Sequence, residues 1–519
     1  MLLTTAIDYT NGSPHIGHAY EKVLADVIAR YQRLRGRPVY FLTGVDQHGQ
    51  KVEQTAAKEG VSPEEYVEKV TTRFTALWEK IGVHYDGWAA TTDQRHKSCV
   101  QAILTDLKEK GQLYKKAYNG FYSVRQEQFL TDRDRDAEGN FGPEWGEVVE
   151  IQEENWYFKL SEHTAWLQAF LEKNDVILPQ FRKAELMNAL TRNGGIDLCI
   201  SRPKERLRWG IEFPFDPDYV TYVWFDALIN YISFAGYGDS DLTLPNFSET
   251  WNDVVHIIGK DIMVPAHGIY WYCMLHAMGF SDAQMPTLLV HGWWNIRGEK
   301  MSKTLGNVVD PDQLADTFGV DALRYYLTRD ITTGKDSDFD VERLVMLFNT
   351  ELANELGNLC NRALNMSQRF TDGVLNCHEP LEAEDLVLQQ SLVDSLALYR
   401  DAMDQYDVAK GLEALNRHVV NCNIYAERMK PWEMNKNLEK KSRVATVLYH
   451  LAESVAHCAV MLSPVLPDAA AKLAAQLNLP DLLSRRLDDL SWGLLKNGHV
   501  IEQPQPVFPR IVPAAPKDA

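Results

Sequence analysis

Paired cysteines are missing. The seven present, Cys99, Cys199, Cys273, Cys360, Cys377, Cys422 and Cys458, are odd in number, and no two are separated by two residues. A Cys-x-x-Cys zinc site and a disulfide framework are both unsupported, so a reducing cytoplasm fits best. Long apolar runs are also missing, and nothing approaches the ~18 uninterrupted apolar residues of a membrane span. The opening Met1-Leu2-Leu3-Thr4-Thr5-Ala6-Ile7-Asp8-Tyr9 has neither the basic flank of a signal peptide nor the arginines of a transit peptide. Positive charge is short: 53 Lys and Arg against 72 Asp and Glu leave a formal charge of −19. A chain this acidic repels phosphates on average, which disfavours nonspecific polyanion binding and leaves room only for a local basic face. Low-complexity disorder is excluded by 45% hydrophobic and 24% charged residues, an ordinary globular balance. The 519 residues suffice for three or four domains at ~150 each.

What is present alternates. Leu2 to Ile7 is a short apolar run, followed by turn chemistry at Thr10-Asn11-Gly12-Ser13-Pro14. From Ile16, apolar residues recur at Tyr20, Val23, Leu24, Val27, Ile28, Tyr31 and Leu34, a helical stripe ending at Gly36. Val39 to Thr43 predicts a second buried strand, and Ser62-Pro63-Glu64-Glu65 opens a later helix with a capping box. This order predicts βαβ units and a parallel sheet. Residues 115–212, rich in charge, glycine and aromatics, predict an insertion. Strand-like runs return at Val220 to Phe225, Val254 to Ile258 and Thr287 to His291. The expected architecture is an α/β Rossmann-like parallel sheet split by an inserted domain and followed by an all-α bundle. Its segments are 1–114, 115–212, 213–299, 300–345, 346–500 and a Pro-rich tail at 501–519. No internal repeat is present.

Two segments carry chemistry. Pro14-His15-Ile16-Gly17-His18 lies between the first strand and its helix, where open α/β sheets bind ligands and a helix N-terminus offers N–H groups. His15 and His18 there can donate to phosphates, and Gly17 lets a flat base approach the backbone; equally, the two histidines can simply cap the helix. Lys300-Met301-Ser302-Lys303-Thr304 places two lysines on a loop after a strand. They can reach phosphate oxygens as mobile point charges, or belong to a solvated surface loop.

Together, and in this order, the two segments resemble the HIGH and KMSKS signatures of the class I aminoacyl-tRNA synthetases. Thr304 departs from the final serine and keeps its hydroxyl. From about residue 2 to 510 the chain is similar to the methionyl-tRNA synthetase family. Ala6-Ile7-Asp8-Tyr9 resembles its opening strand and loop. Gly44-Val45-Asp46-Gln47-His48-Gly49 resembles a strand end whose aspartate accepts the substrate ammonium, which puts that role on Asp46. Val223 to Tyr231 and Gly259-Lys260-Asp261-Ile262 resemble its methionine-pocket segments. The resemblance implies methionine binding by Ala6, Ile7, Tyr9, Asp46, Trp224, Ala227, Leu228, Tyr231, Ile262, His267 and Trp271. It implies ATP binding by His15, Gly17, His18, Asp261, Lys300 and Lys303, with His15, His18, Lys300 and Lys303 catalytic. A polarizable thioether suits such an aromatic wall, and His267 and Tyr231 offer hydrogen bonds toward sulfur, although each aromatic taken alone is ordinary core. His267 stands six residues after Asp261 where the family more often has five; a local bulge at Pro265-Ala266 would absorb the difference.

The resemblance also implies anticodon binding by Asn358, Arg362 and Trp432, with Arg417, Arg428, Lys430 and Lys436 as a basic face; a core role is the alternative for Trp432. Many members carry zinc-binding cysteine pairs in the insertion. Here Tyr118 to Gln126 stands in their place, so no structural zinc or other resident metal is expected. The implied reaction is ATP-dependent ligation of L-methionine to tRNA(Met), initiator tRNA included, through methionyl-adenylate. Magnesium accompanies ATP; no membrane is involved, and a monomer is expected because no appended domain follows the bundle. Three alternatives remain at this point. A synthetase for isoleucine, valine or leucine would carry a larger insertion. A smaller HIGH-type nucleotidyltransferase would not need the helical bundle. A noncatalytic RNA-binding paralogue would not need both histidines and both lysines.

Overall fold

A computed structural model describes the chain except residues 125–127, 131, 137, 194, 240–242, 301–307, 379 and 513–519. The chain forms two compact units. Residues 1–13, 40–76 and 85–290 make the first, and 14–39, 77–84 and 291–519 the second.

The first unit is organised by a seven-stranded sheet. Its strands are β1 (Leu2–Thr5), β2 (Asp8–Tyr9), β3 (Tyr40–Asp46), β4 (Gly87–Ala90), β5 (Ile177–Leu178), β6 (Val254–Gly259) and β7 (Thr287–His291). β4 pairs with β3, β3 with both β1 and β2, and the order continues β1-β6-β7-β5. Parallel pairing joins β1 to β3 and β6, β3 to β2 and β4, and β7 to β5. All of β1 and β6 is buried, which is why they read as continuous apolar runs rather than alternating ones. The register slips once: Thr4 faces Leu42, but Asp8 faces Val45, four residues against three. The extra residue falls at Ala6-Ile7, and such irregularities re-aim side chains at a strand end. The helices Gln94–Glu109 and Val223–Ser233 share one core through Val100, Leu104, Phe225, Leu228 and Ile232.

Two expectations need revision. The run Val220 to Phe225 is not one strand: the strand Asp216–Thr221 ends there and the helix Val223–Ser233 begins. Phe225, Leu228, Ile229 and Ile232 recur at helical spacing, and a short apolar run alone cannot separate the two states. Residues 115–212 are also not one insertion, because Ile177–Leu178 returns to the main sheet beside β7. A two-residue strand leaves no periodicity to read.

The inserted portion is a long antiparallel ribbon, Leu113–Ser123 against Val148–Phe158, flanked by Gln128–Leu130 and Leu198–Cys199. Its interior is built from arginines among aromatics. The buried Arg202 guanidinium lies 4.3 Å from the Tyr222 ring centre, 4.9 Å from Phe129 and 5.5 Å from Tyr122. Arg135 lies 4.2 Å from Phe141 and 4.8 Å from Phe121. Planar guanidinium groups stack on such rings, and Tyr118 donates to the Leu130 carbonyl at 2.8 Å.

The second unit joins the helix Ile16–Leu34 to a helical bundle. Asp26, buried in that helix, takes Arg324 at 2.6 Å and Arg30 at 2.8 Å. The bundle comprises Ala383–Asp404, Val408–Met429, Lys441–Leu462 and Pro467–Gln476. Leu438–Leu462 has the length and hydropathy to cross a membrane, yet its apolar window is wholly buried, the pattern of a bundle's central helix. The described part of the proline-rich tail is tied down: Asn349 exchanges two hydrogen bonds with Ile511, at 2.8 and 2.9 Å.

Candidate active site

In the first unit, three neighbouring strands end at one place. β3 ends on Asp46, β1 runs into Ala6 and Ile7, and β6 runs through Gly259 into Asp261 and Ile262. The strand order reverses at β1, so this is the crevice where open α/β sheets take ligands. Tyr9 is the direct register partner of Asp46, and Thr10 bonds the Asp46 carbonyl through both its N–H, at 3.0 Å, and its hydroxyl, at 2.9 Å. Asp46 is buried, Ala6, Ile7, Tyr9 and Ile262 are half-buried, and Asp261 is exposed.

An aromatic cluster stands beside these ends. Trp224, Ala227, Leu228 and Tyr231 come from the helix Val223–Ser233, and His267 and Trp271 from the π-helical turn Met263–Trp271. Such a wide turn holds one residue more than an α-turn, and Val264 within it is non-helical. This is the form taken by the bulge expected near Pro265. Tyr231 lies 5.7 Å from His267 and 5.8 Å from Trp271, ring centre to ring centre, and Trp224 meets His267 edge-on at 6.3 Å.

The hydrogen bonds fix the tautomers. His267 Nδ1 lies 2.9 Å from the Ile262 carbonyl, which can only accept, so Nδ1 carries a proton. In the neutral ring Nε2 then accepts from the Tyr231 hydroxyl at 2.7 Å. In this arrangement the Tyr231 hydroxyl donates to His267. His256, which sequence reasoning missed, lies under Tyr231 with ring centres 4.1 Å apart. Its Nε2 accepts from Trp271 Nε1 at 3.1 Å, so Nδ1 donates to Thr4 Oγ1 at 2.7 Å. Burial, with His267 nearby, holds its pKa well below 6.5 and keeps it neutral. The one polar residue inside the apolar run Val254 to Ile258 was the available signal.

Asp226 was missed as well. It is fully buried and bonded to His48 at 2.6 Å and His96 at 2.7 Å. Burial alone would raise its pKa, but those two histidines bring it down to about 2.

The signature histidines belong to the second unit. His15 is the N-cap of Ile16–Leu34, its Nδ1 accepting from Gly17 N–H at 3.1 Å, and His18 Nδ1 accepts from His15 N–H at 3.1 Å. Both rings therefore carry their neutral-state proton on Nε2, a donor suited to phosphate oxygen. The rings are 3.8 Å apart. A Cβ at Gly17 would come within 2.9 Å of the His15 ring, so only glycine leaves that ring seated. Capping and ligand binding are thus not exclusive: the cap sets the tautomer. Lys300 ends a hairpin, Trp294–Ile296 with Glu299–Lys300, turned by Arg297 and Gly298 at φ 52° and 76°. Its side chain and Lys303 lie outside the described residues, as do Met301, Ser302 and Thr304. Just beyond them the Val309 carbonyl accepts from Ile16 N–H at 3.1 Å, joining the end of the lysine segment to the start of the histidine helix.

In the same unit Arg362 lies 5.8 Å from the Trp432 ring centre and pairs with Glu427 at 2.6 Å. Trp432 is half-buried, and Asn358, Arg417, Arg428, Lys430 and Lys436 are exposed. Among the described residues, no group of three or more His, Cys, Asp or Glu is gathered to hold a metal ion.

Comparison with known proteins finds relatives over nearly the whole chain. The family model of class I tRNA synthetases (M) matches residues 1–140 and 145–364, and that of the anticodon binding domain of methionyl tRNA ligase matches 377–518. A methionine–tRNA ligase of Rhizobium meliloti is 38% identical over 98% of this chain and 98% of its own length. One from Fusobacterium nucleatum is 37% identical over 98% of this chain and 79% of its own. A crystal structure of Mycobacterium tuberculosis methionyl-tRNA synthetase bound by methionyl-adenylate superposes with a TM-score of 0.91 at 34% identity, covering 98% of this chain and 99% of that one.

Proposed function

The chain belongs to the class I methionyl-tRNA synthetase family, and on that premise we propose a division of labour among its residues. It is a ligase that joins L-methionine to tRNA in two steps. The methionine carboxylate attacks the α-phosphorus of ATP, forming methionyl-adenylate and expelling pyrophosphate. The methionyl ester then forms on the terminal adenosine of the tRNA, at the 2′-hydroxyl, with release of AMP.

Asp46 accepts the substrate ammonium, with Ala6, Ile7 and Tyr9 beside it. Trp224, Ala227, Leu228, Tyr231, Ile262, His267 and Trp271 enclose the thioether, which prefers aromatic and polarizable neighbours. His15 and His18 donate their Nε2 protons to phosphate oxygens, and Gly17 and Asp261 contact the nucleotide. Lys300 and Lys303 close over the charge that develops in the transition state. Magnesium enters with ATP as part of the substrate. Catalysis is positioning and charge stabilisation, with no covalent enzyme intermediate. Asn358, Arg362 and Trp432 read the anticodon of tRNA(Met), initiator tRNA included, by stacking and edge hydrogen bonds. The enzyme works as a monomer in a reducing cytoplasm; the seven free cysteines fit the reducing compartment.

One observation carries this reading. The aromatic set around Tyr231 and the carboxylate of Asp46 stand at the strand-end crevice, in a chain alike over nearly its whole length to an adenylate-bound synthetase. Single-turnover adenylate formation by Lys303→Ala tests it. A contact made only in the transition state lowers the chemical step and leaves methionine affinity in place. The expected fall is about 100-fold or more, the usual scale for losing one such charge-stabilising group. An unchanged rate would remove Lys303 from the mechanism.

A further inference from the structure

Asp226 is a buried charge that the chemistry above does not use. It lies in the first turn of the helix Val223–Ser233, fully buried. Each carboxylate oxygen takes one imidazole: Oδ2 from His48 Nδ1 at 2.6 Å, and Oδ1 from His96 Nε2 at 2.7 Å. His96 is held in turn by Ser233 Oγ at 2.8 Å, on the same helix. A buried ion pair is weak evidence for stability, since apolar packing of the same volume often serves as well, and fixing one register is its better-attested use.

The register in question concerns the substrate's two ends. His48 is two residues beyond Asp46, and Gln47 between them is bonded through all its polar groups. Its N–H donates to Thr91 Oγ1 at 2.9 Å, and its carbonyl accepts from Trp209 Nε1 at 2.5 Å. Its side chain donates to Thr71 Oγ1 at 3.0 Å and accepts from Thr92 Oγ1 at 2.5 Å. The segment 46–48 is therefore a fixed strand end. Asp226 ties it to the helix that bears Trp224 and Tyr231.

We infer that Asp226 is a positioning residue for the amino-acid substrate, holding Asp46 in register with the thioether wall through His48. The inference rests on the reading of Asp46 as the ammonium acceptor. Methionine has to meet both ends at once, and a displacement of about 1 Å remote from the chemistry can cost about 100-fold.

Methionine-dependent ATP–pyrophosphate exchange tests it, with KM measured separately for methionine and ATP. Asp226→Asn and His48→Leu should raise the methionine KM by about tenfold or more and leave the ATP KM within about twofold. His48→Asn, whose amide nitrogen stands where Nδ1 was, should recover most of what His48→Leu loses. If Asp226→Asn does not fold, the two His48 variants still decide. Methionine and ATP KM values that rise together, a methionine KM unmoved in folded His48→Leu, or no recovery in His48→Asn would each overturn the inference. Asp46→Asn separates the two layers. If it raises the methionine KM while His48→Leu does not, the positioning role alone fails. If Asp46→Asn leaves that KM unchanged, the acceptor reading fails.

Discussion

At the residue scale the decisive details are protons. His15 and His18 use Nδ1 to satisfy backbone N–H groups at the start of their helix, which places the exchangeable proton on Nε2. Asparagine separates the two jobs, since its side-chain oxygen caps a helix as well as any residue but offers nothing at the Nε2 position. His15→Asn should therefore leave the melting temperature nearly unchanged and slow adenylate formation by about 100-fold or more. A variant that is stable and fully active would make His15 a cap and nothing else. The motif itself was legible in the sequence because its members are adjacent. His256 and Asp226 were not, because their meaning lies in partners far away along the chain. His256 meets Thr4 across 252 positions, and Asp226 meets His48 across 178. Long-range pairing of that kind leaves at most a polar residue within an apolar run, as at His256, and nothing local names its partner.

At the scale of elements, the sequence carried strands and helices wherever burial imposed a period. The stripe from Ile16 to Leu34 and the buried strand ending at Asp46 are of that sort. It faltered where an element is too short or changes type within a few residues, as at Ile177–Leu178 and at the junction near Tyr222. The inserted ribbon shows another limit. Absent cysteines exclude a four-thiolate site, but nothing local announces that Arg202 and Arg135 fill the space among Tyr122, Phe121, Phe129, Phe141 and Tyr222. The short helix Pro431–Met434 offers the clearest test at this scale. Trp432 is half-buried there, and stacking on one base is worth ~1–3 kcal/mol. Trp432→Ala should lower aminoacylation of tRNA by about 10- to 100-fold. Methionine-dependent exchange and the melting temperature should stay near wild type. If both activities and the melting temperature fall together, Trp432 is a packing residue.

At the scale of the whole molecule, buried histidines set the acid side of stability. Burial lowers the pKa of His163, His256, His276 and His450, and brings His418 down to about 3. Below about pH 6.5 the unfolded chain takes up protons that the folded chain refuses, so stability falls as pH falls. For His418, held at about 3, this amounts to about 2 kcal/mol by about pH 5. Asp226, held at about 2 by its histidines against the effect of burial, adds no slope in that window. The melting temperature should therefore drop steadily between pH 7 and pH 5, and His418→Gln should flatten the decline; a flat wild-type profile would contradict this. A methionine-activating site at the strand-end crevice is tested most directly by ATP–pyrophosphate exchange with each of the twenty protein amino acids in turn. Methionine should drive exchange, and no other amino acid should do so at a comparable rate. Exchange driven equally well by leucine or isoleucine, or no exchange with methionine, would contradict it.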